Sequence, residues 1–306
     1  MNAAQAVHQH IAADGTLVID GATGSELERR GAEVEPGAWC SMVSLTHPDI
    51  LRAVHRDYIE LGARLITTNT FSTNRNMMDP AGLGADVERA NRASVRLAIE
   101  ARDAAGRDDV VVAGSMSHQV PMDQARNRFI PPEAVAKANF EEMADILANA
   151  GAEILLLEMM SDPMLVNLAM SAALATGLPV WIGFSARLDA QDRPESYSMP
   201  GLSVETMLDS IDFDAAAVAG FMHSKANVIS PALSLLRHRW DGPLMAYPDS
   251  GYFEKPHWQF VDIIPPEAFV AYCRDWHDAG VRVLGGCCGL GLSHIAALVE
   301  MFGTER

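Results

Sequence analysis

Short apolar runs alternate with helix-like patterns along the whole chain. The runs are rich in Val, Ile, Leu and Ala, as strands are when a parallel sheet buries both of their faces. The eight predicted strands cover residues 16–20, 64–67, 109–113, 153–157, 179–184, 215–219, 243–246 and 281–284. This alternation predicts a repeated β–α unit.

The segments between the strands carry apolar residues at helical spacing. Thr46 is predicted to cap one helix, with Asp49 three residues later. Two later helices each have an apolar face: Phe269, Tyr272, Cys273 and Trp276 in one, and Ile295, Leu298, Val299 and Phe302 in the other. Cys273 is therefore expected in the core. The polar stretches 189–200 and 253–266 are predicted to be long loops.

Eight strands alternating with helices in 306 residues predict an α/β fold, a (β/α)8 TIM barrel. The expectation is a single domain over residues 1–306, with residues 1–14 as an N-terminal extension. A doubly wound open sheet is the alternative. It is disfavoured because residues 20–25, after the first strand, lack the glycine spacing of a dinucleotide-binding turn.

Composition limits the class of protein. The net charge of -17 argues against a nucleic-acid partner. No apolar run is long enough to span a bilayer, and residues 1–13 show no signal-peptide pattern, so no membrane association is expected. Four cysteines, two of them adjacent, do not form a disulfide framework. A reduced, cytoplasmic location is expected.

Candidate chemistry lies just after the strands, where a barrel places its active face. Cys287 and Cys288 follow the eighth strand between glycines that allow a sharp turn, and two soft thiolates aimed at one point suit zinc. His223 follows the sixth strand and is the candidate third ligand, although a lone histidine is more often a surface or core-edge residue. Asp20 and Glu158 end apolar strands, which favours a functional role over helix capping or pairing with arginine.

The residues at these strand ends resemble a known family. The runs 20–28 (DGATGSELE), 67–71 (TTNTF), 157–158 (LE) and 285–289 (GGCCG) are similar to those of the homocysteine S-methyltransferases. The resemblance extends from about residue 16 to residue 302. It implies a (β/α)8 barrel with a catalytic zinc held by three cysteines, to which the homocysteine thiol binds as a further ligand.

Several positions depart from the family pattern. Its first zinc cysteine corresponds to His223 here, and Met222 stands where the family has Asn. Met159 replaces the aromatic residue of the betaine-dependent enzymes, Ser72 replaces a Gln or Tyr, and residues 114–119 differ from the family's Gly-Ser-x-Gly-Pro loop. These changes cluster on the side expected to bind the methyl donor.

The expected function is zinc-dependent methyl transfer to the thiol of homocysteine, giving methionine. The resemblance implies that Asp20 and Glu158 bind the ammonium group, that the amides of Gly21 and Ala22 bind the carboxylate, and that Thr68 belongs to the acceptor side. Trp39 is expected either to stack on a cationic donor or to pack. The donor is a sulfonium, a quaternary ammonium or a corrinoid, the last implying a corrinoid protein as partner. Alternatives are demethylation, another thiol or selenol acceptor, or an inactive partner subunit of a corrinoid system.

Overall fold

The computed structural model describes residues 2–120 and 128–303, and the rest of the predicted 1–306 domain lies outside the described residues. Twelve strands are seen in this part of the chain: β1 (Leu17–Val18), β2 (Leu65–Thr67), β3 (Val111–Ser117), β4 (Ile154–Met160), β5 (Val180–Phe184), β6 (Ala186–Leu188), β7 (Pro194–Ser196), β8 (Val218–Lys225), β9 (Leu244–Asp249), β10 (Tyr252–Glu254), β11 (His257–Gln259) and β12 (Val281–Leu284).

Twelve α-helices accompany these strands: α1 (Ala3–Ala12), α2 (Gly24–Arg29), α3 (Val43–Thr46), α4 (Pro48–Leu61), α5 (Arg75–Met78), α6 (Val87–Ala104), α7 (Glu133–Ala150), α8 (Pro163–Ala175), α9 (Val204–Asp209), α10 (Ala226–Arg237), α11 (Pro266–Asp278) and α12 (Leu292–Phe302). Two short 3-10 helices cover Cys40–Met42 and Gly84–Asp86.

Eight of the strands form one parallel sheet in the order β1-β12-β9-β8-β5-β4-β3-β2. The two ends of this sheet meet, because the amide of Asp20 donates to the Leu65 carbonyl and the amide of Arg64 donates to the Val18 carbonyl, both at 3.0 Å. The sheet is therefore closed, and the predicted TIM barrel is confirmed over the open sheet.

Side chains alternate between the barrel interior and the layer under the helices, as the period of a strand requires. In β4, Ile154 and Leu156 belong to the interior cluster, whereas Leu155 and Leu157 pack in the outer cluster. Cys273 of α11 is buried in the outer cluster, as expected. The apolar runs thus fill two concentric core layers, which leaves the strand ends for polar chemistry.

Helix α1, within the predicted N-terminal extension, packs against the interior cluster of the barrel. Its Val7 and Ile11 are buried there with Leu17 and Trp181. The indole Nε1 of Trp181 donates a hydrogen bond to Nε2 of His8 at 2.9 Å. Since α1 contacts residues at the N-terminal ends of the strands, it covers the end of the barrel opposite to the candidate chemistry.

Three local predictions are wrong. Thr46 does not cap a helix; its hydroxyl donates to the Met42 carbonyl, and α4 begins at Pro48 after His47. The predicted loop 189–200 contains β7 of the β6–β7 hairpin, and the predicted loop 253–266 contains most of the β10–β11 hairpin. Strands β3, β4, β8 and β9 extend beyond the predicted runs, because backbone pairing with a neighbouring strand continues past them, as between Ser117 and Glu158 and between Lys225 and Asp249.

Candidate active site

A cavity of about 450 Å³, including space open to solvent, lies at the C-terminal ends of the barrel strands. Its wall combines sulfur, imidazole, carboxylate, hydroxyl and aromatic groups. The lining residues are Ala22, Thr23, Gly24, Trp39, Thr67, Thr68, Asn69, Phe71, Ser72, Glu158, His223, Tyr247, Cys287 and Cys288. The three predicted metal ligands, His223, Cys287 and Cys288, therefore line one cavity. The predicted substrate-binding residues Glu158, Thr68, Ala22 and Trp39 line the same cavity.

The loop after β12 presents the two cysteines. The amide of Cys287 donates to the Pro248 carbonyl at 2.7 Å, and the amide of Ser250 donates to the Cys288 carbonyl at 2.9 Å. Gly289 follows with φ +83, and a Cβ there would collide with the Ser250 carbonyl. These bonds tie the loop to the end of β9. Burial raises the pKa of the Cys287 thiol well above its usual range, and the neighbouring Cys288 adds to the rise.

His223 stands between Glu158 and Cys287. Its Nε2 lies 2.9 Å from Oε2 of Glu158, and its Nδ1 lies 3.2 Å from Sγ of Cys287. The ring of Phe71 stacks on the imidazole at a centroid distance of 4.9 Å. The predicted strand-end histidine is thus held on three sides within the cavity.

Asp20 lies beneath the cavity wall and not in it. Both of its carboxylate oxygens are used: Oδ2 accepts from the Thr67 amide at 2.6 Å, and Oδ1 accepts from the Thr67 and Tyr247 hydroxyls at 3.1 and 3.3 Å. Burial raises the pKa of Asp20 to about 7, against these hydrogen bonds, which lower it. Asp20 therefore positions two lining residues.

The remaining predicted binding groups also have partners. The amide of Ala22 donates to the Leu290 carbonyl at 3.1 Å, and the Gly21 carbonyl accepts from the Tyr247 hydroxyl at 3.0 Å. The Thr68 hydroxyl bonds to that of Thr70 and accepts from the Ser115 amide. These bonds join the end of β1 to β9 and to the loop after β12, and the end of β2 to β3.

Trp39 forms another part of the cavity wall. Its Nε1 donates to Oε1 of Glu28 at 2.5 Å, and its ring meets Phe253 of the β10–β11 hairpin edge-on. Glu28 also accepts from the Trp258 amide and pairs with Nδ1 of His257 at 3.0 Å. The hairpin is therefore latched to the loop that carries Trp39, a connection that the sequence did not predict.

The imidazole of His223 and the thiols of Cys287 and Cys288 are ligand types that fit a divalent ion such as zinc. Two ligands of a tetrahedral zinc stand roughly 3.5 Å apart, close to the 3.2 Å between His223 Nδ1 and Cys287 Sγ. A buried thiolate needs a compensating cation. Within residues 2–120 and 128–303, no three His, Cys, Asp or Glu side chains already stand in a metal-binding arrangement. Cys288 borders the same cavity as the other two donors.

Sequence reasoning missed the roles of Phe71 and Tyr247. Phe71 lies in the 67–71 motif and Tyr247 directly follows the seventh apolar run, so their positions carried a signal. Their contacts with His223 and Asp20 depend on strands that are distant in the chain. Such contacts follow only from closure of the barrel.

The fold and this site define a (β/α)8 barrel with thiol, imidazole and carboxylate groups in a cavity at the C-terminal ends of its strands, and comparison with known proteins gives the family. The homocysteine S-methyltransferase family model matches residues 17–302. The chain belongs to the homocysteine S-methyltransferase family and is an enzyme of that class.

Individual relatives are similar over nearly their full length. Homocysteine S-methyltransferase 3 of Arabidopsis thaliana is 26% identical, over 95% of this chain and 91% of the relative. YbgG of Bacillus subtilis (strain 168), also a homocysteine S-methyltransferase, is 26% identical over 89% of this chain and 90% of its own. The metallated form of the homocysteine methyltransferase MmuM from Escherichia coli superposes with a TM-score of 0.74 at 24% identity, covering 94% and 96% of the two chains. This last match confirms the fold.

No helix in residues 2–120 and 128–303 has both the length and the apolar character needed to cross a membrane.

Proposed function

We propose that this protein catalyses zinc-dependent transfer of a methyl group to the thiol of homocysteine, forming methionine, from a sulfonium, quaternary ammonium or corrinoid donor. The observation that carries the proposal is the convergence of His223, Cys287 and Cys288 on one cavity in a chain of this family. All four cysteines are free thiols, which suits a reducing compartment, and we propose a cytoplasmic location.

His223, Cys287 and Cys288 would hold the zinc ion. A zinc ion bound by three protein ligands keeps a coordinated thiol ionised at neutral pH. One imidazole and two thiolates carry one negative charge fewer than three thiolates. The acceptor thiol should therefore be more readily ionised here and, once ionised, less nucleophilic.

Glu158 and the first strand ends would bind the amino acid part of homocysteine. Glu158 lines the cavity and offers a carboxylate to the ammonium group. Asp20 acts one layer below, by fixing Thr67 and Tyr247. If the amides of Gly21 and Ala22 bind the carboxylate, the bond from Ala22 to Leu290 must open first.

Three aromatic residues of the described part of the chain, Trp39, Phe71 and Tyr247, line the cavity. Aromatic faces attract a methylated cation, whether sulfonium or ammonium. Of the three donor classes, the aromatic wall therefore favours a sulfonium or a quaternary ammonium over a corrinoid, and Met159 and Ser72 stand where relatives of known donor have other residues.

An activity screen tests the proposal directly. Protein purified without chelators is given homocysteine and a panel of sulfonium, betaine and methylcorrinoid donors, and methionine is measured. Formation of methionine from at least one donor is expected. No methionine from any donor, or less than about a tenth of an equivalent of zinc per chain, would overturn the proposal.

His223 variants test the metal site without reference to turnover. His223→Ala should lose bound zinc, because only two thiolates remain. His223→Cys should keep it, because a third thiolate restores the ligand number. Equal zinc content in the two variants would contradict the assignment of His223.

A selenol or another thiol is the second candidate acceptor. A selenocysteine Se-methyltransferase of Brassica oleracea var. italica is 26% identical over 95% of this chain and 90% of its own. The same screen with selenocysteine as acceptor separates the two readings, since the better substrate has the higher kcat/KM.

A further inference from the structure

Two barrel strands are irregular at the point where they reach the cavity. The pairing of β4 with β5 shifts between Leu157 and Met160, and Met159 has φ +59. The pairing of β8 with β9 shifts between Met222 and Lys225, and His223 has φ +45. Left-handed backbone outside glycine costs on the order of 1–3 kcal/mol and concentrates at functional sites. Bulges of this kind redirect side chains.

The two irregularities aim Glu158 and His223 at each other. Oε2 of Glu158 lies 2.9 Å from Nε2 of His223, and the two side chains are only 6% and 13% exposed. The stacked ring of Phe71 limits rotation of the imidazole from one side. This pair is therefore a buried, geometrically fixed contact.

The chemistry of the pair fixes which nitrogen of His223 is available. A carboxylate only accepts hydrogen bonds, so Nε2 carries the proton. In a neutral imidazole, Nδ1 then has a free lone pair. Sγ of Cys287 lies 3.2 Å from Nδ1 and 3.8 Å from Nε2, so Nδ1 is the nearer of the two nitrogens.

We infer that Glu158 is a positioning residue for the metal ligand His223: it holds the Nε2–H tautomer and leaves Nδ1, the nitrogen nearer to Cys287, free to bind the metal. The inference rests on the proposed zinc site. Histidine ligands generally need such a partner for their second nitrogen, and losing it costs tenfold to a hundredfold in metal affinity. A cysteine binds a metal through its single sulfur atom and has no ring to orient. The need for an orienting partner therefore arises because His223 stands where the family has cysteine.

Glu158 keeps one oxygen for the substrate. Of its two carboxylate oxygens, Oε2 is hydrogen-bonded to His223, whereas Oε1 has no hydrogen-bond partner among the described residues. The side chain lines the cavity. One carboxylate thus orients the ligand through Oε2 and offers Oε1 to the ammonium group of the acceptor.

A double-mutant cycle on zinc affinity tests the inference, with affinity measured by competition against a chromophoric chelator. Glu158→Met keeps the length of the side chain and removes the acceptor, and should weaken zinc binding tenfold to a hundredfold. Glu158→Gln retains a carbonyl oxygen for Nε2–H and should recover most of the affinity. In the His223→Cys background, Glu158→Met should change zinc affinity less than threefold.

Nitrogen NMR of ¹⁵N-histidine-labelled protein gives a readout that a general loss of stability does not move. The His223 signals, identified by their loss in His223→Ala, should show a protonated Nε2 and an unprotonated Nδ1 in the metal-free protein. In Glu158→Met this preference should disappear.

The outcomes separate this inference from the proposed function. If the unaltered protein binds zinc and forms methionine, but Glu158→Met weakens zinc equally in both backgrounds or not at all, only the positioning role is overturned. A proton on Nδ1 of His223 in the unaltered protein overturns it as well. Failure of the unaltered protein to bind zinc overturns both.

Discussion

Replacing Asp20 by Asn should remove a large pH dependence from the stability of the protein. The pKa of Asp20 is raised from 3.8 to about 7 in the folded chain, chiefly by burial. Between these two values the folded state binds a proton that the unfolded state has released. Stability is therefore lost as pH rises through this window, and the loss is complete above about pH 7.

The magnitude follows from the two pKa values. For a group with a pKa of 3.8 in the unfolded chain and about 7 in the folded chain, linkage gives a loss of about 3 kcal/mol between pH 5 and pH 8. The side-chain amide of Asn has nearly the same shape as the Asp20 carboxyl group and does not ionise between pH 5 and pH 8. Its carbonyl can accept from the Thr67 amide, and its NH2 can donate to the Thr67 and Tyr247 hydroxyls, which rotate to accept.

The assay is urea unfolding of the metal-free protein and of Asp20→Asn at pH 5, 6, 7 and 8. The stability of the variant relative to the unaltered protein should increase by about 3 kcal/mol over this range. Asp49→Asn is the control, because the Asp49 side chain is 91% exposed; it should shift the curves by less than about 0.5 kcal/mol at every pH. A constant difference between Asp20→Asn and the unaltered protein from pH 5 to pH 8 would refute the reasoning.

Three further predictions concern the frame of the site. Glu28→Met removes the acceptor that joins Trp39, Trp258 and His257, so amide exchange at residues 252–259 should accelerate at least about fivefold; unchanged exchange would contradict the latch. Val7→Asp places an unpaired charge in the interior cluster and should lower the free energy of unfolding in urea by more than about 3 kcal/mol; a smaller loss would show that α1 is not part of the core. Gly289→Ala should lower the melting temperature more than Gly82→Ala, since both glycines have positive φ but only Gly289 lies against backbone; equal losses would argue against the packing of the cysteine loop.

The order of the strands and the polar groups at their ends were accessible from the sequence because they depend on local signals. The apolar runs predicted all eight barrel strands, and the polar residues that end them indicated Cys287, Cys288, His223 and Glu158. The lengths of the strands were not accessible. Pairing with a neighbour carries β4 and β8 past their apolar residues, and this pairing depends on the partner strand.

The position of Asp20 illustrates what tertiary structure alone decides. Its place after the first strand indicated a binding role, but the closed barrel directs its carboxylate to Thr67 and Tyr247, below the cavity. Likewise, the sequence indicated His223 and Glu158 separately, whereas their contact depends on two backbone irregularities that have no local sequence signature.

The sequence by itself determined the architecture and the chemical inventory: eight buried strands, adjacent thiols, an imidazole and two carboxylates at strand ends. These follow from hydrophobic periodicity and residue chemistry, which are local properties. The tertiary structure decided which of these groups face one another and which are already bound to backbone. The physical reason is that a few ångströms of displacement decide between a ligand and a supporting hydrogen bond. Such displacements are set by contacts between strands far apart in the chain, as between Glu158 and His223.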